Sequence, residues 1–543
     1  MAKILGIPGK WFPTSNLLAG VILADHRYGA EASVSISNDT YSSYQAVLWA
    51  EMLSFKYNLK LTTFINSDSA YYNPNVGRLE STGKMWHDLY FMTDKWVNPV
   101  TGIYETIPDY YSATWTSAGA AVFAKAVAGQ AKPTGNDGSG TAIVATRYPS
   151  HGQQMYDASN GAYGYNFPSN QQGTSHLSEL KDMDLYQRFG LELLLFRKVS
   201  TYSYRNGITT QRWLLKDRFL GGRNSAGRLS GAALTSYGFK QTDGSKLGEF
   251  FYSDSQIAAN PDLGWTVNHH MNRQNTVQYE ASLTAGGAGG DNYQTAHNNF
   301  KTYLTSLFNG GTGIKNLFTS GGWFQEFTHF ANMYQGTGWA GTKGDIRNLY
   351  ADYLATVDNL LSGHLVNRAG YGEIVEYHTL RDSVKRIDLY QQSSTKIRIA
   401  VRTNTYNYLI NTPVTVVLDL TGTTFANKNF KPANKGCKGI RKISTNVFAV
   451  DILYSGTIEV DATGIYHDFN KPTVTASLVG DNVEWTSNKP VRVVLYSVDS
   501  NGFVAELGRI NNIDTKGSIA KGSATTLKLG AVNSSGFSVL IDI

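Results

Sequence analysis

A chain of 543 residues is too long for one ordinary domain and suggests roughly three or four. Its apolar fraction of 41% excludes a disordered chain, and its net charge of +6, spread without runs of Lys and Arg, argues against nucleic-acid binding. One cysteine, Cys437, excludes an internal disulfide framework, and no segment approaches the ~20 unbroken apolar residues of a membrane span. The first residues, "MAKILGIPGKWFPTS", lack a long apolar core and a small-residue cleavage site, so no signal peptide is expected. Charged residues make up only 17%, with 54 Gly and 33 Tyr, a mixture suited to the polar surfaces of secreted or virion proteins.

After an N-terminal arm over 1–20, strand-like and helix-like stretches alternate, which predicts α/β architecture for residues 21–382. In "ASVSISNDT", Ala32, Val34 and Ile36 share one face of a short strand. Ser42 and Ser43 are placed to cap a helix in which Ala46, Ala50, Leu53 and Tyr57 fall at helical spacing. In "LKLTTFI", Leu59, Leu61, Thr63 and Ile65 then alternate with Lys60, Thr62 and Phe64. This is a βαβ unit whose two strands should run parallel. Helix patterns recur over 177–198 and 343–363, and long Gly-, Asn-, Ser- and Tyr-rich stretches at 129–175 and 236–295 read as elaborated surface loops.

From about residue 383 the pattern becomes all-β. "KIRIAVRT", "TPVTVVLDL", "VFAVDIL" and "GTIEVDA" alternate between turn residues and predict a β-sandwich module over 383–465. After "HDFNKPT", the strands "TVTASL", "NVEWTS", "VRVVLYSV" and "GFSVLIDI" predict a second β module over 466–543, with Gly480-Asp481 as a hairpin turn. No repeat of fixed period is present, which excludes solenoids and propellers.

The stretch "ASVSISNDTYSSYQAVLWAEMLSFKYNLKLTTFI" resembles the opening of the polysaccharide deacetylase (NodB-homology) family. There a strand ends in a Thr-Phe-Asp-Asp-Gly motif, a helix follows, and a second strand reads like "kaTfF". The resemblance implies a distorted (β/α) barrel with its site at the C-terminal strand ends. It also implies metal-assisted amide hydrolysis: one Asp and two His hold a divalent ion, usually zinc, a second Asp accepts the water's proton, and a late His protonates the amine.

By that resemblance Asp39 matches the metal-binding Asp, while Asn38 stands in the slot of the base. A carboxamide accepts no proton at neutral pH, and Thr40 replaces the motif's Gly. The two metal histidines map to His151 in "AIVATRYPSH" and His176 in "QQGTSHLSEL", either alternatively or together; Arg147 and Gln172 fill the other slots. "DRFLGG" places Arg218 in the slot of the Arg that orients the base, and "GWFQEFTH" places His329 in that of the acid. "YGEIVEYHTLRDSV" is similar to the family's final helix.

Plainer readings stand beside these. Asp39 also suits a helix cap, His151, His176 and His329 suit loops, and Arg218 suits a structural ion pair. The adjacent His269 and His270 would point to opposite faces of a strand, which leaves them as loop residues. Trp265 and Trp323 suit either sugar-stacking platforms or core.

The chain is therefore expected to be a virion-type or extracellular structural protein, such as a bacteriophage tail fibre or spike. Its degenerate deacetylase-like barrel would bind host-surface glycan or neighbouring subunits, in a homo-oligomer or with other virion components. The alternative is an active metal-dependent polysaccharide deacetylase or esterase with zinc at Asp39.

Overall fold

The computed structural model describes residues 3–4, 7–12, 21–38, 44–66, 76–91, 95–97, 104–106, 134–136, 142–144, 200–204, 220–224, 301–302, 305, 308–310, 316–328, 330, 334, 343–403, 406–407 and 409–543. The helix expected over 177–198, the capping serines Ser42 and Ser43, and most of the two long loops lie outside them.

Strands β1 (Lys3–Ile4), β2 (Ile7–Phe12) and β3 (Val21–Ala24) pair antiparallel in succession. The chain then enters the expected βαβ unit: β4 (Ala32–Asn38), α1 (Tyr44–Lys56) and β5 (Leu61–Asn66). The two strands are parallel, with Ile36 opposite Leu61 and Asn38 opposite Thr63. Helix α2 (Val76–Glu80) leads to β6 (Met85–Phe91), which lies parallel beside β5. Two short antiparallel pairs follow, β7 (Lys95–Val97) with β8 (Tyr104–Thr106) and β9 (Thr134–Asn136) with β10 (Ala142–Val144).

Strands β11 (Thr201–Tyr204) and β12 (Gly221–Asn224) extend the parallel sheet beyond β6. Asn316 caps the short α3 (Leu317–Ser320) by accepting from the Phe318 and Thr319 amides, and Gly321 at φ 64° ends it. β13 (Trp323–Thr328) then returns to the free side of β4, again parallel. Helix α4 (Lys343–Leu360) precedes β14 (Val366–Arg368), which pairs with the first half of β4. The sheet order is β12-β11-β6-β5-β4-β13, so successive strands step one way from β4 and β13 comes back beside it.

Alternation along β4 sets the two faces of this sheet. Ala32, Val34 and Ile36 pack with Leu61, Met85 and Phe324 against α1 and the tyrosines Tyr350 and Tyr353 of α4. Each fully buried Val, Leu, Ile, Met or Phe side chain there contributes about 1.5–3 kcal/mol. Helix α5 (Tyr371–Ser383) covers the other face, where Tyr371, Ile374 and Val375 meet Phe64 and Trp323.

α5 runs directly into β15 (Val384–Gln391), the first strand of the β-sandwich. One of its sheets has the order β15, β16 (Lys396–Thr403), β21 (Ser455–Asp461), β18 (Asn429–Pro432). The other combines β17 (Val414–Asp419), β20 (Val447–Ile452) and β19 (Cys437–Lys442) with the N-terminal β1, β2 and β3. The N-terminal strands are thus part of the sandwich rather than a separate arm: Val416 pairs with Leu23, joining segments some 390 residues apart in sequence. Ile397, Ile399, Val416, Leu418, Phe430 and Val450 fill the space between the sheets, with Tyr377 and Leu380 of α5.

The last module is one antiparallel sheet of β22 (Val474–Val479), β23 (Asn482–Val498), β24 (Val504–Ala520), β25 (Leu527–Asn533) and β26 (Ser538–Asp542). Its first hairpin turns at Gly480-Asp481, with Gly480 at φ 60°. Irregularities between Thr486 and Tyr496 bend the long β23. Val493 and Leu495 then face the module's own core, while Val494 and Tyr496 face α1. Among the described residues no helix is long and apolar enough to cross a membrane.

Candidate functional site

The candidate site is the C-terminal end of β4, where Asn38 stands. Its position follows from the period-2 pattern: Ser33, Ser35 and Ser37 line the face opposite the aliphatic one. All three serines are buried, and the hydroxyls of Ser33 and Ser35 are partnered by side chains around them. Trp323 Nε1–H donates to Ser35 Oγ at 2.9 Å, and Asn367 Nδ2–H donates to Ser33 Oγ at 3.1 Å. On β6 the same face carries Asp88, whose Oδ2 accepts from Trp86 Nε1–H at 2.8 Å and from the Thr201 hydroxyl at 2.5 Å. The Tyr371 amide at the start of α5 donates to Thr62 Oγ1 at 2.8 Å. This face is therefore a polar, hydrogen-bonded core held by the tip of α5.

Asn38 is the last residue of β4 and is 1% exposed. It lies between Thr63 of β5 and Thr328 of β13 in the sheet register. Its Oδ1 accepts the Phe330 amide at 2.8 Å. The Asn38 carboxamide is thus engaged in holding the chain that leaves β13. Register alone puts the end of β4, after which Asp39 follows, next to the end of β13, after which His329 follows.

Asp39, His151, His176, Arg218, His329 and Trp265 lie outside the described residues, as do His269 and His270. Among the described residues no group of three His, Cys, Asp or Glu could hold a metal ion, so no donor set for zinc is assembled from them.

Of the two readings open for Trp323, the structure favours core over sugar platform. It is 1% exposed, packs on Tyr371, and pairs with Ser33. It stands five positions before Thr328, roughly 16 Å along the strand at ~3.3 Å per residue. It serves the core and offers no face for a sugar. Asp88 was missed, although the alternation in "MWHDLYF" already puts Trp86 and Asp88 on one face and His87 on the other.

No protein-family model matches the chain, and no curated protein matches it.

Proposed function

We propose that this chain is a structural protein of a virion-type or extracellular assembly, whose α/β domain is a degenerate polysaccharide-deacetylase-like barrel that binds surface glycan. The observation that carries this reading is Asn38. In the slot where the family resemblance calls for a base, a buried carboxamide accepts the Phe330 amide at 2.8 Å. A group that neither ionises near neutral pH nor has its Oδ1 to spare is unsuited to taking a proton from water. The described parallel strands, in the order β12-β11-β6-β5-β4-β13, are in keeping with the α/β part of the reading. The two β modules suit contacts with copies of the chain or with neighbouring subunits.

The test measures three things on one preparation made without chelator: metal content, acetate released from acetylated polysaccharides, and retention on bacterial surface polysaccharide. Retention without acetate release is expected. Acetate release with about one zinc per chain, lost in Asp39→Ala, would replace the proposal with the active deacetylase. Absence of both retention and release would remove the glycan and leave assembly contacts, which co-purification with particles would then test.

A further inference from the structure

A cavity of about 170 Å³ lies at the other end of the parallel sheet from Asn38. Lys60 and Lys84 reach it from the residues just before β5 and β6, and Arg368 from the end of β14. Arg27, from the turn after β3, and Arg492, from β23, complete the cationic lining. The turn between β25 and β26, residues 533–537, forms part of the wall. Three regions of the fold therefore meet around one small space.

Its charge is unbalanced. Among the described residues, five cationic side chains line it against one carboxylate, Glu373. Three of the five have acidic partners: Lys60 with Glu373 at 2.6 Å, Arg368 with Asp358 at 2.6 Å, and Arg27 with Asp451 at 3.2 Å. Glu373 is itself held below the ordinary carboxylate value; burial opposes its charge, but Lys60, Arg27 and the Gly370 amide outweigh that. Among the described residues the other two meet carbonyl oxygens: Lys84 Nζ donates to Gly536 O at 3.1 Å, and Arg492 Nε to Asn511 O at 3.1 Å.

Lys84 is the unusual member, because it is 1% exposed. An ammonium has three donors, and among the described residues this one has a single carbonyl acceptor. Burying a cation without a counter-charge is costly, and an anion in the cavity would remove that cost. Burial first, then repulsion from Arg368 and Lys60, depresses its pKa well below the ordinary lysine value despite the opposing pull of Asp358.

We propose that this junction cavity is a binding site for a small oxyanion-bearing ligand, a phosphate or a carboxylate, held by Lys84 with Arg492. The volume corresponds to five or six waters at about 30 Å³ each, enough for phosphate or a single sugar acid and too small for a buried oligosaccharide. Such a ligand would tie the β25–β26 turn to the parallel sheet, stabilising the docked C-terminal module by mass action.

Isothermal titration of the full chain with inorganic phosphate, with glucuronate and with glucose separates the cases. Saturable binding of phosphate, of glucuronate or of both is expected, with none of glucose. Lys84→Met, which keeps the stem and removes the charge, should weaken binding at least tenfold. Phosphate alone would identify a phosphate group as the ligand chemistry, and glucuronate alone a carboxylate. No saturable binding, or equal binding by Lys84→Met, would overturn the proposal. If Lys84→Met fails to fold, Arg492→Gln carries the same comparison.

Discussion

Arg509 lays its guanidinium flat against the carboxylate of Glu51, with both nitrogen–oxygen distances at 2.8 Å. Glu51 sits in the middle of α1 and Arg509 on β24, and their side chains are 0% and 2% exposed. Tyr496 donates its hydroxyl to Glu51 Oε2 at 2.8 Å, and Glu506 accepts from Arg509 at 3.0 Å and from Arg78 at 2.7 Å. Burial opposes the charge of Arg509, but Glu51 more than offsets this and holds its pKa above the ordinary arginine value. The C-terminal module is therefore fastened to the α/β domain through a buried bidentate pair.

Removing one partner leaves the other charged and dry. Arg509→Met is expected to lower stability by about 3–5 kcal/mol, whereas the double variant Glu51→Leu/Arg509→Met should lose much less. Denaturant unfolding of the two variants beside the wild type checks this. Equal losses would mean that the pair acts through packing rather than through charge.

The contrast with Asn38 shows what local pattern carries. The β4–α1–β5 unit was readable because Ala32, Val34 and Ile36 alternate strictly and the helix after them has apolar residues at helical spacing. The docking of the last module was not readable. Glu51 interrupts the apolar run of α1 and reads as a solvent-facing residue, and its partner stands 458 positions further on. In the fold α1 is buried from Ala46 to Phe55, one side on the parallel sheet and the other on the module. Likewise nothing within residues 1–24 shows that their strands join β17, because strand pairing across nearly the whole chain leaves no local periodicity. At the candidate site, sequence placed Asn38 at a strand end but did not reveal that Phe330 would claim its oxygen.

Asn38→Ala should cost about 1–3 kcal/mol, since it strands the buried Phe330 amide without an acceptor. Asn38→Asp keeps an oxygen at that position and is expected to fold, with no gain of acetate release on acetylated polysaccharide. Thermal unfolding and an acetate assay on both variants decide it. Robust hydrolysis by Asn38→Asp would show that the rest of a deacetylase site is intact.

His26 makes stability depend on pH. Its Nε2 lies 2.9 Å from Gly321 O, which can only accept, so Nε2 carries the proton and Nδ1 accepts from Ser33 at 2.8 Å. Asn367 donates to the same Ser33 oxygen, which orients the hydroxyl toward His26. Burial above all, and Arg381 nearby, lower the His26 pKa to about 4 in spite of the Gly321 bond. His378, 5.7 Å away edge-on, is also pushed down by burial and by His26. Between pH 6.5 and about 4 the unfolded chain binds protons that the fold refuses, so stability falls as pH is lowered through that window. For His26 alone the loss is about 3 kcal/mol at ~1.4 kcal/mol per unit. Unfolding free energies measured from pH 7 to pH 4 should show a slope that His26→Gln reduces. An unchanged slope in that variant would assign the acid sensitivity elsewhere.

Gly372 stands where α5 touches the parallel sheet. A methyl group added there would lie 2.5 Å from both Asp88 Oδ2 and Trp86 Nε1, and 3.1 Å from Ser200 Oγ. Those first two atoms are already bonded to each other at 2.8 Å, and Thr201 fixes the carboxylate from the far side. At Gly370, one position before the helix, an added methyl group would lie 2.4 Å from both Trp86 Cβ and Cγ, so the backbone there leaves the indole little room in that direction. Alanine favours a helix over glycine by about 1 kcal/mol. Overpacking works against that gain, typically by about 1–3 kcal/mol, and here it also breaks the Trp86–Asp88 hydrogen bond. Gly372→Ala is therefore expected to destabilise the protein and to shift its tryptophan fluorescence, both followed in one thermal melt. A variant as stable as the wild type, with unchanged fluorescence, would show that the first turn of α5 can lift off the sheet without cost.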